Sequence, residues 1–312
     1  MMRFIIILLL TTPLLSSQNP SAIKISQAVE IGGIQQWISI KGTNRSNPVL
    51  LFLHGGPGNS AMGYADSFTN ELQEHFVVVQ WDQRESGTTE KLNVSDEPLS
   101  VALMEDDAIE MISYLRSRFS QDKIFLMGHS WGGFLGLRVA ARHPELLKAY
   151  LAISPMVNQL ESERLSLAWM IDKAKNQSNE QALMELALVN IPFQNGDQLY
   201  YHRSWLAKLM GNKFPSQDFV ETWAKKWLPL FNEASAVNFF EFAPVIKCPI
   251  YFFVGKLDYQ THFKLTEAYY TALEAKEKRL FLFENTGHNL TAKEPEKLQQ
   301  IIVSEILTKS NN

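Results

Sequence analysis

The sequence predicts an α/β fold with a mostly parallel central sheet and helices on both faces. Short, almost continuously apolar runs alternate along the chain with longer amphipathic stretches, as expected of strands that are buried on both faces and separated by helices. Two glycine-rich segments, at 54–58 and 128–133, come directly after such runs. Because open α/β sheets place their sites at the carboxyl ends of the strands, these segments indicate where function lies.

The elements follow from the pattern in chain order. Gly32-Gly33 separates two strand-like segments, which predicts an opening antiparallel pair with its second strand at 34–40. Six apolar runs then predict buried strands, and four stretches with helical periodicity lie between or after them. The predicted strands are 49–53, 76–80, 123–127, 149–153, 250–254 and 279–283, and the predicted helices are 101–119, 133–142, 262–273 and 294–307.

The alternation stops between Pro155 and Pro244. Residues 156–243 contain helical patterns and turns but no convincing buried strand, and they hold four of the 7 tryptophans. We therefore predict a helical cap inserted after the sixth strand, with residues 18–155 and 244–312 forming the core. Most of the aromatic rings in the cap are expected to pack internally, and one or two are expected to face a substrate.

Residues 1–17 have the features of a secretory signal peptide: a positive start with Arg3, an apolar stretch over 4–15 and small polar residues after it. The apolar stretch is shorter than the roughly 20 residues that span a bilayer, and an uncleaved N-terminal anchor is the competing interpretation. We expect the mature chain to act outside the cytoplasm, in the periplasm or secreted, without stable insertion into a membrane.

Composition argues against several classes of function. The 312 residues carry a formal net charge of -4, and no basic cluster suggests a nucleic-acid partner. Cys248 is the single cysteine, so no disulfide can form within the chain, and metal motifs such as C-x-x-C or H-E-x-x-H are absent. We therefore expect no metal and no organic cofactor, and the sequence leaves the oligomeric state open.

The second glycine segment, Gly128-His129-Ser130-Trp131-Gly132, predicts an exposed and strained serine. Where a strand turns into a helix at this spacing, side chains at Gly128 and Gly132 would clash, and the serine is presented rather than buried. The N-terminus of the following helix favours negative charge at the same place. His129 is next to the serine and is expected to contribute to substrate binding.

A serine hydroxyl is a weak nucleophile at neutral pH and needs a base that is supported by a carboxylate. Asp258 follows the predicted strand at 250–254, and His288 follows the one at 279–283. The chain order Ser130, Asp258, His288 is the order found in α/β-hydrolases. We therefore predict Ser130 as nucleophile, His288 as general base and Asp258 as its partner, with a turn-forming aspartate as the alternative for Asp258.

The first glycine segment, at 54–58, is predicted to provide half of an oxyanion hole. The backbone N–H of Trp131 is one expected donor, because it directly follows the serine at the start of the helix. The second donor is expected from the loop, with Gly56 favoured. Gly55 is next in preference and is also a candidate substrate-binding residue.

These motifs resemble the prolyl aminopeptidase (proline iminopeptidase) branch of the α/β-hydrolases. The resemblance is carried by HGGPG at 54–58, Trp-Asp-Gln-Arg at 81–84, GHSWGG at 128–133, Asp258, and Gly287-His288. It implies that Ser130 attacks, that His288 acts as base with Asp258 as its partner, and that a helical cap selects the substrate.

Two positions depart from that resemblance: Glu85 and His129 both stand where the branch commonly has glycine. In that branch, acidic residues of the cap hold the free amine of the substrate, but the resemblance does not match them to this cap residue by residue. Candidates are Glu161, Glu163, Glu233 and Glu241, of which Glu233 and Glu241 are assigned to substrate binding.

The sequence thus predicts a serine hydrolase that cleaves an amide or ester through an acyl-enzyme. The favoured activity is release of N-terminal proline or another residue from short peptides. A carboxylesterase for small lipophilic esters is the first alternative, because an aromatic cap could form an apolar pocket without an amine anchor. A non-catalytic binding protein with the same fold is the second.

Overall fold

The structure is a computed structural model, and it describes residues 21–93 and 97–308. The predicted leader, residues 1–17, lies outside the described residues. In the described part of the chain, no helix combines the length and the apolar character needed to cross a bilayer.

Within the described residues, ten strands form two sheets. In chain order they are β1 (Ile23–Ile31), β2 (Ile34–Gly42), β3 (Val49–Leu53), β4 (Val77–Trp81), β5 (Ile124–His129), β6 (Leu147–Ile153), β7 (Val245–Ile246), β8 (Ile250–Gly255), β9 (Glu274–Ala275) and β10 (Lys278–Phe283). The central sheet has the order β1-β2-β4-β3-β5-β6-β8-β10, and β7 pairs with β9 in a separate two-stranded sheet. β1 and β4 both pair antiparallel with β2, whereas the remaining pairs of the central sheet are parallel.

Helices follow most of the strands. They are α1 (Asp66–Thr69), α2 (Gly87–Leu92), α3 (Val101–Phe119), α4 (Trp131–Arg142), α5 (Gln159–Asn176), α6 (Glu180–Leu186), α7 (Gly196–Leu209), α8 (Gln217–Ser235), α9 (Phe239–Phe242), α10 (Phe263–Ala272), α11 (Leu290–Lys293) and α12 (Pro295–Ile301). Short 3-10 turns occur at Leu72–Glu74 and Pro144–Leu146, and a π-helical segment at Ile302–Leu307 extends α12.

The central strands are apolar throughout because the sheet is covered on both faces. Leu50 and Phe52 of β3 belong to one buried cluster, which includes residues of α1 and α12. Leu51 and Leu53 of the same strand belong to a second cluster, which includes residues of α3, α4, α10 and the cap. Successive side chains of a strand point to opposite faces, so a strand between two cores must be apolar at every position.

The fold class is confirmed, and so is the opening antiparallel pair through Gly32-Gly33. Each predicted buried strand is present, with its ends shifted by at most two residues. The helix predicted at 101–119 is observed with the same bounds, as α3. The predicted helix over 294–307 is present from Pro295 to Leu307, but its last 6 residues are π-helical rather than α-helical. Sequence periodicity over so few turns does not separate these two helical forms.

The helical insertion after the sixth strand contains α5 to α9, and we call residues 156–243 the cap. Its two ends meet where Asn158 and Asn238 form an antiparallel bridge and the N–H of Phe239 donates to the carbonyl of Val157 at 2.9 Å. Each cap helix begins with a side chain that accepts a backbone N–H of the first turn, which satisfies one of its otherwise unpaired donors. These N-caps are Asn158, Asn179, Asn195, Ser216 and Asn238.

Candidate active site

Ser130 lies in a strained turn between β5 and α4, with φ 57 and ψ -114. A Cβ added to Gly128 would come within 2.2 Å of the Gly132 carbonyl oxygen, and one added to Gly132 within 2.0 Å of the Leu53 carbonyl oxygen. Only glycine fits at either position. The turn therefore packs directly on the end of β3. Ser130 lines a cavity, but it is only 6% exposed, so the prediction of an exposed serine is corrected: the chain around the turn covers it.

The structure brings the three predicted catalytic residues together at the carboxyl ends of β5, β8 and β10. Ser130 Oγ lies 3.0 Å from His288 Nε2, and His288 Nδ1 lies 2.9 Å from Asp258 Oδ2. Since an ionised carboxylate only accepts, Nδ1 carries the proton and Nε2 is free to accept from the serine hydroxyl. The arrangement has the geometry of a nucleophile, a base and an orienting carboxylate.

The loop after β8 is built to hold Asp258 as an anion. Its carboxylate is fully buried and accepts from the N–H groups of Gln260 and Thr261 and from the Thr261 hydroxyl, at 2.9, 3.0 and 2.8 Å. Burial alone would raise the pKa of Asp258, but His288 and the Thr261 donors hold it well below its ordinary range. Thr261 is a residue that sequence analysis missed, although a threonine three residues after a turn aspartate is a recognisable signal.

His129 supports the loop of His288. Its Nε2 lies 3.0 Å from the His288 carbonyl oxygen, and the two rings lie 4.9 Å apart. Burial, assisted by the neighbouring His288, lowers the pKa of His129 to about 4, so its ring is neutral at pH 7 and donates to that carbonyl. The structure therefore places His129 as a support for His288, whereas the sequence assigned it to the substrate.

The predicted oxyanion donors are the N–H groups of Gly56, in the glycine loop, and of Trp131, the residue after Ser130. Gly56 lines the same cavity as Ser130, and Trp131 is the first residue of α4. Among the described residues, neither the Gly56 N–H nor the Trp131 N–H is a donor in the backbone hydrogen bonds that lie outside the helices and strands. Gly55, the other candidate in this loop, packs against the serine turn, because a Cβ on it would lie 3.4 Å from Ser130 Cβ.

Gln83 joins the glycine loop to Trp131, a contact that the sequence did not reveal. Its side chain donates to the His54 carbonyl at 3.1 Å and accepts from the indole N–H of Trp131 at 2.9 Å. The neighbouring Arg84 is buried and pairs with Asp107. The Asp-Gln-Arg segment after β4 thus fixes the glycine loop against the serine turn.

The cavity above Ser130 is mostly apolar, and the cap supplies most of its wall. Its polar lining on the cap side consists of Gln159 and Arg203, and no carboxylate lines it among the described residues. The indole N–H of Trp223 donates to the Pro57 carbonyl at 3.0 Å, which ties the cap to the glycine loop. The apolar lining consists of Met156, Leu199, Phe214, Pro215, Phe219, Val220, Trp223 and Phe231.

The assignment of Glu233 and Glu241 to the substrate is corrected by the structure. Both side chains are exposed and neither lines the cavity. Glu233 accepts the N–H of Val101 at the start of α3, at 3.1 Å, and Glu241 accepts from the Asn238 amide at 2.9 Å. Both acids therefore accept from groups at the start of a helix. The sequence alone shows only that they are acids of the cap, which fits this role and ligand binding equally.

A buried polar cluster lies behind the cap wall of the cavity. Arg203 donates to both carboxylate oxygens of Glu163 and to Nδ1 of His202. Since a guanidinium only donates, His202 must accept through Nδ1 and carry its proton on Nε2, which lies 3.2 Å from the Glu163 carbonyl oxygen. Burial lowers the pKa of His202 to about 4, so this ring is neutral at pH 7.

A second cavity lies next to the first one and is lined by His288. It is also lined by Gly287 and shares Arg203, Phe214, Pro215 and Gln260 with the first cavity. Its charged lining is basic, with Lys213 and Lys293 in addition to Arg203, and no carboxylate lines it in the described part of the chain. A substrate that spans both cavities would therefore contact both Ser130 and His288.

The protein-family model described as alpha/beta hydrolase fold matches residues 48–295. The chain belongs to the α/β-hydrolase fold family. This hydrolase is 32% identical over 301 residues to the probable aminopeptidase YbaC of Bacillus subtilis, covering 88% of this chain and 93% of that protein. It is 22% identical over 273 residues to a proline iminopeptidase of Heyndrickxia coagulans, with 83% and 90% covered.

A solved structure of proline iminopeptidase from Mycobacterium smegmatis aligns with a TM-score of 0.64 at 17% identity, covering 92% of this chain and 99% of the other. At that identity the likeness concerns the fold. The sequence-based resemblance to the prolyl aminopeptidase branch is confirmed by the two sequence relatives, from Bacillus subtilis and Heyndrickxia coagulans.

The buried His202 predicts a loss of stability in mild acid. The unfolded chain binds a proton near pH 6.5, whereas the native ring does so only near its pKa of about 4, so stability falls as pH decreases through this range. Between pH 7 and pH 5, the free energy of unfolding of the wild type should fall by about 2 kcal/mol more than that of His202→Gln. Urea unfolding at both pH values measures this. The exposed His75→Gln is the matched control, and equal losses in both variants would contradict the expectation.

Proposed function

We propose that this hydrolase cleaves an amide or ester bond through an acyl-enzyme formed on Ser130. The observation that carries the proposal is the continuous chain of contacts from Ser130 Oγ to His288 and Asp258, at 3.0 and 2.9 Å. As Ser130 Oγ attacks the carbonyl carbon, His288 Nε2 takes its proton and then gives it to the leaving group. Water then attacks the acyl carbon while His288 Nε2 takes its proton, and His288 returns that proton to Ser130 Oγ as the acyl group leaves.

Two further features support the proposed mechanism electrostatically. The N–H groups of Gly56 and Trp131 would donate to the oxyanion as negative charge develops on the carbonyl oxygen. Asp258 keeps its negative charge at neutral pH, because its pKa is held low against the opposing effect of burial, and so stabilises the imidazolium of His288.

We propose short peptides as substrates, with release of a small apolar N-terminal residue such as proline. The apolar cavity above Ser130 would take the side chain of that residue. The basic cavity beside His288 would take the departing peptide, whose terminal carboxylate is attracted by Lys213 and Lys293. The relative named as a probable aminopeptidase supports the same class of reaction.

A carboxylesterase is the second candidate, and one observation favours it. Among the described residues, the cavity above Ser130 has no carboxylate to pair with a protonated amine. An ester with a small apolar acyl group needs no such partner.

Labelling with a fluorophosphonate probe tests the nucleophile. We expect the wild type to form one adduct on Ser130, and Ser130→Ala to lose the adduct and at least about a thousandfold in kcat/KM. The exposed Ser113→Ala on α3 is the matched control and should retain both. A folded wild-type protein without an adduct would favour the non-catalytic binding protein.

The basic cavity predicts a preference for a free terminal carboxylate. We expect Lys213→Glu with Lys293→Glu to raise KM for a dipeptide by roughly tenfold, since exposed charge pairs contribute up to about 1 kcal/mol each. The same dipeptide with an amidated terminus should change little. Lys148→Glu, at an exposed position of β6, is the control, and equal KM changes for both dipeptides would contradict the proposal.

We also propose that residues 1–17 are removed and that the enzyme acts outside the cytoplasm. The support is the sequence itself, with Arg3 before an apolar stretch and small polar residues after it. Mass spectrometry of the protein isolated from its producing cell should give an N-terminus at Gln18. A cytoplasmic protein that keeps Met1 or begins at Met2 would overturn this.

A further inference from the structure

Gln159 has a feature that the proposed mechanism does not use. It is the first residue of α5, it is 2% exposed, and it lines the cavity that contains Ser130. Its side-chain oxygen Oε1 is buried and has no hydrogen-bond partner among the described residues. Buried polar atoms are nearly always paired, and Gln159 is the residue with such an unpaired atom that shares the cavity lining with Ser130, where a bound molecule can supply the missing donor.

The orientation of this amide is fixed by its other end. Gln159 Nε2 donates to Glu163 Oε1 at 2.6 Å and to the carbonyl oxygen of Gln260 at 2.8 Å. Both partners accept hydrogen bonds, so exchanging the oxygen and nitrogen of the amide would place oxygen against oxygen twice. Oε1 is therefore the atom left without a partner, and it can only accept.

The surroundings make this oxygen a good but uncharged acceptor. Glu163 polarises the amide through the bond to Nε2, which strengthens Oε1 as an acceptor. The charge of Glu163 is offset by Arg203, which donates to both of its carboxylate oxygens. The cap wall thus presents a neutral acceptor where an acid was expected from the sequence.

We propose that Gln159 Oε1 accepts a hydrogen bond from the free α-amine of an aminoacyl substrate and thereby selects it over an acyl group without the amine. This inference rests on the proposed function, because the amine is the N–H donor next to the carbonyl that Ser130 attacks. The remaining lining on the cap side is apolar or, at Arg203, a donor. Gln159 is a specificity residue in this scheme and takes no part in proton transfer.

The test compares two esters that differ only in the amine: the 4-nitrophenyl esters of alanine and of propionic acid. We expect the wild type to prefer the alanyl ester in kcat/KM. Gln159→Leu should lower kcat/KM for the alanyl ester by tenfold to a hundredfold and for the propionyl ester by less than threefold. Gln181→Leu, which removes an exposed amide on α6, is the matched control and should leave the ratio unchanged.

A second measurement needs no variant. Alaninamide should inhibit propionyl ester hydrolysis by the wild type at a concentration at least tenfold lower than propionamide does. Equal inhibition by both amides, or an alanyl to propionyl ratio that Gln159→Leu leaves unchanged, overturns the assignment of Gln159.

Failure of the proposed function has a different signature: no hydrolysis of either ester and no Ser130 adduct. In that case, calorimetric titration of the wild type with alaninamide and propionamide still decides whether the cavity recognises an amine. Tighter binding of alaninamide by the wild type, abolished in Gln159→Leu, would uphold the role of Gln159 in recognition.

Discussion

The absence of space at the turn around Ser130 is the constraint on which the site depends. With the Leu53 carbonyl oxygen 2.0 Å from where a Cβ of Gly132 would stand, the turn after β5 is pressed against the end of β3. The glycine loop that follows β3 is thereby held beside the serine. One steric condition therefore places the proposed nucleophile and a proposed oxyanion donor in the same cavity.

Buried polar contacts then make this arrangement rigid. Gln83 bridges the His54 carbonyl and the Trp131 indole, while Thr261 and Gln260 hold the carboxylate of Asp258. These groups are out of water, so leaving any of them unpaired would cost on the order of 1–3 kcal/mol. Preorganised groups of this kind favour a developing charge without having to reorient during the reaction.

Much of the fold and part of the site could be predicted from the sequence, because both depend on local patterns. The helix at 101–119 has its predicted bounds since Ser100 accepts from the Leu103 N–H at its start and Ser120 adopts a left-handed conformation at its end. Ser130, His288 and Asp258 come together because each follows a strand of one parallel sheet. The site that results is the geometry that their order along the chain indicated.

The rest depends on side chains that meet across long separations. Gln83 and Trp131 are 48 residues apart, and no local signal joins them. Glu233 on α8 and Glu241 on α9 are acids of the cap, as the resemblance implied, yet both side chains are exposed. The cavity wall instead carries an amide, Gln159, whose importance follows only from the three-dimensional count of donors and acceptors.

Helix α8 both lines the cavity of Ser130 and contacts two segments of the core. Trp223 donates to Pro57 in the glycine loop, and Lys226 donates to the Glu85 carbonyl and pairs with its carboxylate in the segment that contains Gln83. An outward swing of this helix to admit a bulky molecule would break both contacts and release the two segments that hold the proposed oxyanion donors. Because α8 both lines the cavity and holds these two segments, a small molecule that enters without displacing α8 leaves both contacts intact.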